Sequence, residues 1–464
     1  MATTRVAVPG VRSRAERAEG ARERFLTWPR ALAVGVFVLF AATFDEGKVH
    51  EDGLVYFDFL RRLFGADTPA AAYQFGSAFW NAPFYLVSQL VAVRGGLDRY
   101  HSGEIATAVA SNAATVAILY LGWRLLRALD LPRGPAVLLL TLFGTPLYYY
   151  GALWVSYKHA ADTLYATALL WFVYRSTQAD ARRRDYAAAG ACLALLLATR
   201  YANVAFWFGV LVVLFVLGYR RAAAWTAGAA VVATGVLFLL PVVRHIPYTS
   251  PPATTLAAPF IGEGRYALSA PGFVHPVSRG MHFSVTAPLK MLFTLKRGLF
   301  VWTPLTAFAT VGFVLLLRRL PSQRPFLAAA GVCAVALVAI HSLWGAGLAW
   351  AGGGSFSQRF LTALFPVFLL GTAEIVRRFG PPAIAVLTLC ACFSLWIGLT
   401  QFNGYYGSGA DDSITKIIGN YKSLTGPTVN KYHTPPPYDS VENFGRQIGY
   451  RVEHRWQLLW RVVA

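Results

Sequence analysis
Apolar residues run along this chain in long blocks, with polar residues gathered in the gaps between them. The blocks lie near 31–44, 104–123, 135–151, 159–174, 186–200, 203–218, 222–243, 299–317, 326–344, 360–376 and 381–402. An α-helix needs roughly 20 residues to cross the hydrocarbon of a bilayer, so the pattern predicts about eleven transmembrane helices. The pair within 186–218 is short for two crossings and reads as a tilted or incomplete hairpin. A further apolar stretch, Ala78–Val93, carries Phe79, Trp80, Phe84 and Tyr85. Those aromatics suit the headgroup boundary, and the stretch reads as an interfacial or re-entrant helix.

Charge decides that reading. The segment 1–30, Arg124–Arg133, Arg175–Arg184, Arg220–Arg221, Arg318–Arg324 and Arg377–Arg378 all fall on one face if the spans number eleven. Counting Ala78–Val93 as a span would scatter them over both faces, against the positive-inside rule. The predicted organisation is a cytoplasmic basic arm at 1–30, rather than a cleaved signal, then a transmembrane core at 31–402. Outer loops follow at 45–103, 244–298 and 345–359, with an extracytoplasmic tail at 403–464. In that tail Val441, Phe444, Ile448, Val452, Trp456 and Leu459 recur every three or four residues, as in an amphipathic helix. No internal repeat is visible, which disfavours an inverted-repeat transporter.

Composition agrees. The chain is 56% hydrophobic and 14% charged, against about 45–50% and 25% in soluble domains, which excludes an ordinary soluble fold. A net charge of +20 would suggest nucleic acid in a soluble protein, but here the arginines flank membrane spans, so no nucleic-acid partner is expected. Arg outnumbers Lys by 35 to 7, which hints at a GC-rich bacterial genome and hence an inner (plasma) membrane. The four cysteines lie in apolar runs without metal spacing, and no disulfide framework is expected.

Candidate chemistry collects on the outer face. Eight acidic residues lie between Asp45 and Glu104, and Glu51-Asp52 stand beside Tyr56 directly after the first span. A carboxylate there can take a proton from a hydroxyl or bind a cation; it can equally belong to a solvated loop. Lys158, His159, Arg200, Arg244, Lys290, Lys296, Arg297 and Arg359 fall near outer ends of spans. Cations there run against the positive-inside trend, and a phosphate group is their natural partner. Lys158 could instead pair with Asp162 one turn on, and Lys290 could snorkel. Arg200 lies inside an apolar run, where an unpaired charge is costly. The loop from Trp344 to Phe360 is glycine-rich, contains Trp350 and ends in Gln358-Arg359. It could bring backbone close to a ligand or be a plain connector.

Five stretches in order resemble the GT-C superfamily of polytopic glycosyltransferases, most closely the bacterial relatives of protein O-mannosyltransferases and of the lipid A aminoarabinose transferase. They are Val49-His-Glu-Asp-Gly-Leu-Val-Tyr56, Gly76-Ser-Ala-Phe-Trp80-Asn-Ala-Pro83, Gly144-Thr-Pro146 with Ser156-Tyr-Lys-His159, Lys296-Arg-Gly-Leu-Phe-Val-Trp-Thr-Pro304, and Trp350-Ala-Gly-Gly-Gly-Ser-Phe-Ser-Gln358-Arg359. Arg297 stands where relatives often carry His, Tyr157-Lys158 interrupts a usual Met-Ser-His, and Ser357 replaces a glycine.

The resemblance implies an all-α GT-C fold with juxtamembrane helices in the first outer loop. It also implies inverting transfer of a sugar from a polyprenyl-phosphate donor to a hydroxyl acceptor on the outer face. Asp52 would be the general base, with Asp45 as its rival and Glu51 beside it. Arg359, Arg200, Arg297, Lys158 and His159 would bind the donor phosphate, and Tyr56, Trp350 and Gln358 would line the pocket. Lipid-monophosphate users of the family generally work without a metal, so none is expected, although the carboxylate-rich loop could hold a divalent ion. Two rivals stay open: a transporter or flippase of a phosphate-bearing lipid, which predicts charges deep in the spans such as Asp162 and Glu374, and a non-catalytic scaffold for envelope assembly.

Overall fold
The computed structural model describes residues 31–40, 52–68, 74–132, 134–155, 158–247, 268–270, 273–275, 286–343 and 356–404. The expected basic arm and polar tail, the carboxylates Asp45 and Glu51, and Trp350 lie outside the described residues. Those described form a bundle of α-helices with one short antiparallel hairpin, β1 (Leu268–Ala270) and β2 (Phe273–His275), in which Ser269 faces Val274.

Five helical stretches are long and apolar enough to cross a membrane: Arg99–Ala128 (α4), Arg220–Val243 (α9), Pro321–Ser342, Arg359–Phe379 and Pro381–Gly398. Large apolar side chains stand exposed on them, among them Val232, Val236, Val335 and Leu389. Lipid accepts such a surface where water would penalise it. The chain is a multi-pass membrane protein.

The remaining expected spans take shorter forms. The run at 135–151 stops as α5 (Pro135–Phe143), because Gly144 and Pro146 follow; the chain then makes a π-helical turn at Tyr149–Leu153. The run at 299–317 splits into α11 (Leu299–Trp302) and α12 (Leu305–Arg319). Thr303, which precedes Pro304, leaves the helical region with φ −134° and ψ 71°. The short pair within 186–218 is α7 (Arg183–Thr199) and α8 (Val204–Val216), joined through extended Arg200 and the 3₁₀ turn Tyr201–Asn203. With α1 (Ala31–Phe40) and α6 (His159–Ser176) these helices range from 4 to 18 residues. Among the described residues, five clear spans therefore stand where eleven were expected. The stretch Ala78–Val93 is part of one helix, α3 (Gly76–Gly95), packed along α4, and α2 (Asp52–Leu63) precedes it. Two helices thus occupy the segment between α1 and α4, as expected.

α13 (Arg324–Leu343), α14 (Phe365–Phe379) and α15 (Pro381–Gly404) complete the bundle, with a short α10 (Ala287–Phe293) before α11. Small residues let helix backbones meet. A Cβ on Gly371 of α14 would run into the carbonyl of Ala309 on α12, and one on Gly312 of α12 would run into the carbonyl of Gly371. Such close crossings are a usual way for membrane helices to gain packing energy where lipid removes the hydrophobic drive.

The bundle has two chemically distinct ends. At one, Tyr174 Oη donates to the Ala128 carbonyl at 3.3 Å and Gln178 to Gln323 at 3.3 Å. The Arg183 guanidinium lies 5.5 Å from the Trp225 ring. Buried Glu374 pairs with Arg319 at 3.0 Å and with Arg377 at 2.6 Å. The basic loops after α4, α6, α8, α12 and α14 are therefore gathered at one end, as the charge pattern requires. At the opposite end α4 begins on Asp98, whose carboxylate caps the helix by accepting from the amides of Tyr100 and His101. The hydrogen bonds from His101 and Tyr100 hold that carboxyl below its usual range.

Candidate active site
The second end of the bundle collects basic side chains, most of them buried. His159 is the first residue of α6 and Lys158 precedes it; Arg200 follows α7; His341 sits in the last turn of α13; Arg359 opens the 3₁₀ turn Arg359–Leu364 that leads into α14. Each of these chain positions is a helix terminus or a break, where irregular backbone lets a side chain turn across the end of the bundle rather than along it. Arg200 and His341 meet over the Phe360 ring, which Arg359 also approaches at 5.3 Å, and Arg200 pairs with Asp162 one turn after Lys158-His159, so the five share one site.

Arg200 is the centre of the contacts. Its Nη1 donates to the Phe360 carbonyl at 3.2 Å and lies 3.7 Å from Asp162 Oδ2, while its Nη2 lies 3.3 Å from His341 Nε2. The guanidinium stands over the Phe360 ring at 4.5 Å, and the His341 ring stacks on the same phenyl group at 4.7 Å with planes 8° apart. Asp162 is fully buried and accepts from Asn203 Nδ2 at 2.5 Å. It lies in the first turn of α6, where the helix dipole favours a carboxylate. An isolated guanidinium or carboxylate here would be prohibitively desolvated; as an ion pair, with Asn203 donating to the carboxylate and the Phe360 carbonyl accepting from the guanidinium, the two are tolerated.

Lys158 reaches the other way. Its ammonium donates to the Gln74 side chain and stands 4.8 Å from the Tyr56 ring. This contact ties α2 to the cation cluster, and Tyr165 Oη, donating to the Gly76 carbonyl at 3.2 Å, ties the start of α3 to α6. His159 packs against Tyr150 at 4.5 Å, whose own hydroxyl donates to the Phe356 carbonyl at 3.1 Å. Gln358 donates through Nε2 to the Arg297 carbonyl at 3.1 Å, joining the turn before α11 to the turn before α14. Arg200 is 3% exposed, and Arg297 and His159 are each 2% exposed, whereas Arg359 is half-buried. Arg359 is therefore the arginine of the cluster with surface left for a ligand.

The structure thus brings together Tyr56, Lys158, His159, Arg200 and Arg359, with Arg297 and Gln358 linked in the adjoining turn. Arg244 and Lys290 are exposed, and no described contact joins them to the cluster. Asp52 is the first residue of α2, one turn before Tyr56 and so on the same helical face. The described side-chain contacts of Asp162 are with Arg200 and Asn203, and its amide donates to the Lys158 carbonyl at 2.9 Å. Four residues of the site were not singled out from sequence: Gln74, Asn203, His341 and Phe360. His341 carried the signal that marked Arg200, an ionisable group inside an apolar run; Gln74, Asn203 and Phe360 carried none. Among the described residues no group of three or more His, Cys, Asp or Glu side chains is arranged to hold a metal ion.

No family model and no curated protein matches the chain. Among solved structures it is similar to ArnT from Cupriavidus metallidurans, crystallised bound to undecaprenyl phosphate, at 15% identity and a TM-score of 0.46, over 86% of this chain and 69% of that one. A likeness at that level assigns neither a residue nor an activity.

Proposed function
We propose that this protein is an inverting glycosyltransferase that moves a sugar from a polyprenyl-phosphate donor to a hydroxyl acceptor. The observation that carries the reading is the convergence of Lys158, His159, Arg200 and Arg359 at one end of a membrane bundle, with α2, the helix that Asp52 opens, joined to them through Tyr56. Three cations gathered around a single described carboxylate, Asp162, suit a phosphate group, and a site at the end of the spans suits a donor whose tail stays in lipid. The basic loops at the opposite end favour an orientation in which they face the cytoplasm and the site faces outward, in an inner membrane of bacterial type.

In this reading Arg359, Lys158 and His159 hold the donor phosphate, with Arg200 and Arg297 behind them. Asp52 draws the proton from the acceptor hydroxyl as its oxygen attacks the anomeric carbon. The bond from that carbon to the phosphate oxygen breaks, and the polyprenyl phosphate leaves with its charge stabilised by the cations. Each well-placed donor can contribute a few kcal/mol to such a step. No metal is assigned a part; activity lost in chelator and restored by a divalent ion would reverse that.

The test is equilibrium binding of a polyprenyl monophosphate to the purified protein in detergent micelles. Lys158→Gln and Arg359→Gln should each weaken binding about tenfold or more, the worth of a charge-assisted hydrogen bond. Lys290→Gln, outside the cluster, should leave binding unchanged. Equal loss from all three, or none from any, sets the proposal aside.

A further inference from the structure
We infer that His341 is a positioning residue of this site: it fixes Arg200, and Arg200 in turn fixes the 3₁₀ turn that presents Arg359. The inference rests on the reading of the cluster as a phosphate site. Arginine has donors and no acceptor, so the 3.3 Å approach of Arg200 Nη2 to His341 Nε2 requires an imidazole lone pair at Nε2, with the ring proton on Nδ1. The ring is not left to find that orientation by itself. Its parallel stack on Phe360, at 4.7 Å and 8°, sets the plane in which the lone pair lies.

Phe360 is the hinge of the arrangement. Its carbonyl takes Arg200 Nη1, its ring lies under the Arg200 guanidinium, and its neighbour in the same turn is Arg359, whose Cζ stands 5.3 Å from that ring. Asp162, held by Asn203, supplies the counter-charge. The two terminal nitrogens of Arg200 thus engage a carbonyl, a carboxylate and an imidazole, contributed by three separate elements, at a residue only 3% exposed. Arg359 is the half-buried member of the pair. The geometry divides the labour between the two arginines: Arg200 holds the turn, and Arg359 meets the ligand.

Two substitutions separate the acceptor from the stack. His341→Phe keeps a flat ring against Phe360 and removes the lone pair, while His341→Gln keeps an acceptor oxygen. Binding of a polyprenyl monophosphate in micelles should weaken about tenfold in His341→Phe, as expected for loss of a hydrogen bond to a charged group, and largely return in His341→Gln. In an Arg359→Gln background His341→Phe should weaken binding less than about twofold, because its effect passes through Arg359 and the two losses are coupled. Should His341→Phe fail to yield folded protein, His341→Met removes the acceptor with a flexible side chain and takes its place. If wild-type protein binds but His341→Phe binds equally well, or His341→Gln gives no rescue, or the losses multiply in the double variant, the positioning role is overturned and the phosphate site stands. If wild-type protein binds no polyprenyl phosphate, the phosphate reading itself fails, and this inference with it.

Discussion

A cation buried at the end of a membrane bundle persists only if something nearby answers its charge. Asp162 does this for Arg200, and Asn203 fixes Asp162. The sequence marked Arg200 as costly in its apolar run, and it marked Lys158, His159 and Arg359 as cations on an unexpected face. It did not show that they meet, because the meeting depends on how far each helix is slid along its neighbours. Asp52 illustrates the limit in another way. It stands at the head of α2, one turn before Tyr56, the residue that meets Lys158. Asp52→Asn is accordingly expected to abolish sugar transfer, assayed as release of polyprenyl phosphate from a lipid-linked sugar in the presence of acceptor. The same variant should bind polyprenyl monophosphate as tightly as wild type. Normal turnover in it would remove Asp52 from the mechanism.

At the scale of elements, hydropathy found where the helices are and misjudged how long several of them run. Gly144-Thr-Pro146 and Thr303-Pro304 are helix breakers visible in the sequence, yet the apolar residues around them read as continuous spans. In the structure the breakers win, because proline cannot donate to the helix ladder and restrains the residue before it. Two other breaks are productive: irregular backbone at Arg200 and at Arg359–Leu364 is what brings site residues together. Glycine at helix crossings left no comparable signal. Gly312 and Gly371 matter because the α12 and α14 backbones touch there, and that contact is a property of the packed pair. Gly371→Val is expected to push the helices apart at a cost of about 1–3 kcal/mol, read as a lower melting temperature in detergent. Gly228→Ala, where an added Cβ meets nothing within 4 Å, should leave the melting temperature unchanged or slightly raised.

At the scale of the whole molecule, the most legible feature was its polarity. Parity of the basic loops needed only a count of spans and a tally of arginines, and the contacts at Tyr174, Gln178, Arg183 and Glu374 show the described loops gathered at one end. That parity survives the shortening of individual helices, since a broken or tilted helix still delivers the chain to the far end. The opposite end is then left to chemistry, with buried basic side chains, stacked aromatics and a capped α4.

The most direct measurement is an experimental density map of the protein in a lipid nanodisc with added polyprenyl monophosphate. The account predicts a phosphate within hydrogen-bonding distance of Arg359 and Lys158, with the isoprenoid chain running from it into the bilayer. Phosphate density among Arg319, Arg377 and their neighbours at the basic end, or a headgroup separated from Arg359 by packed helices, would contradict it.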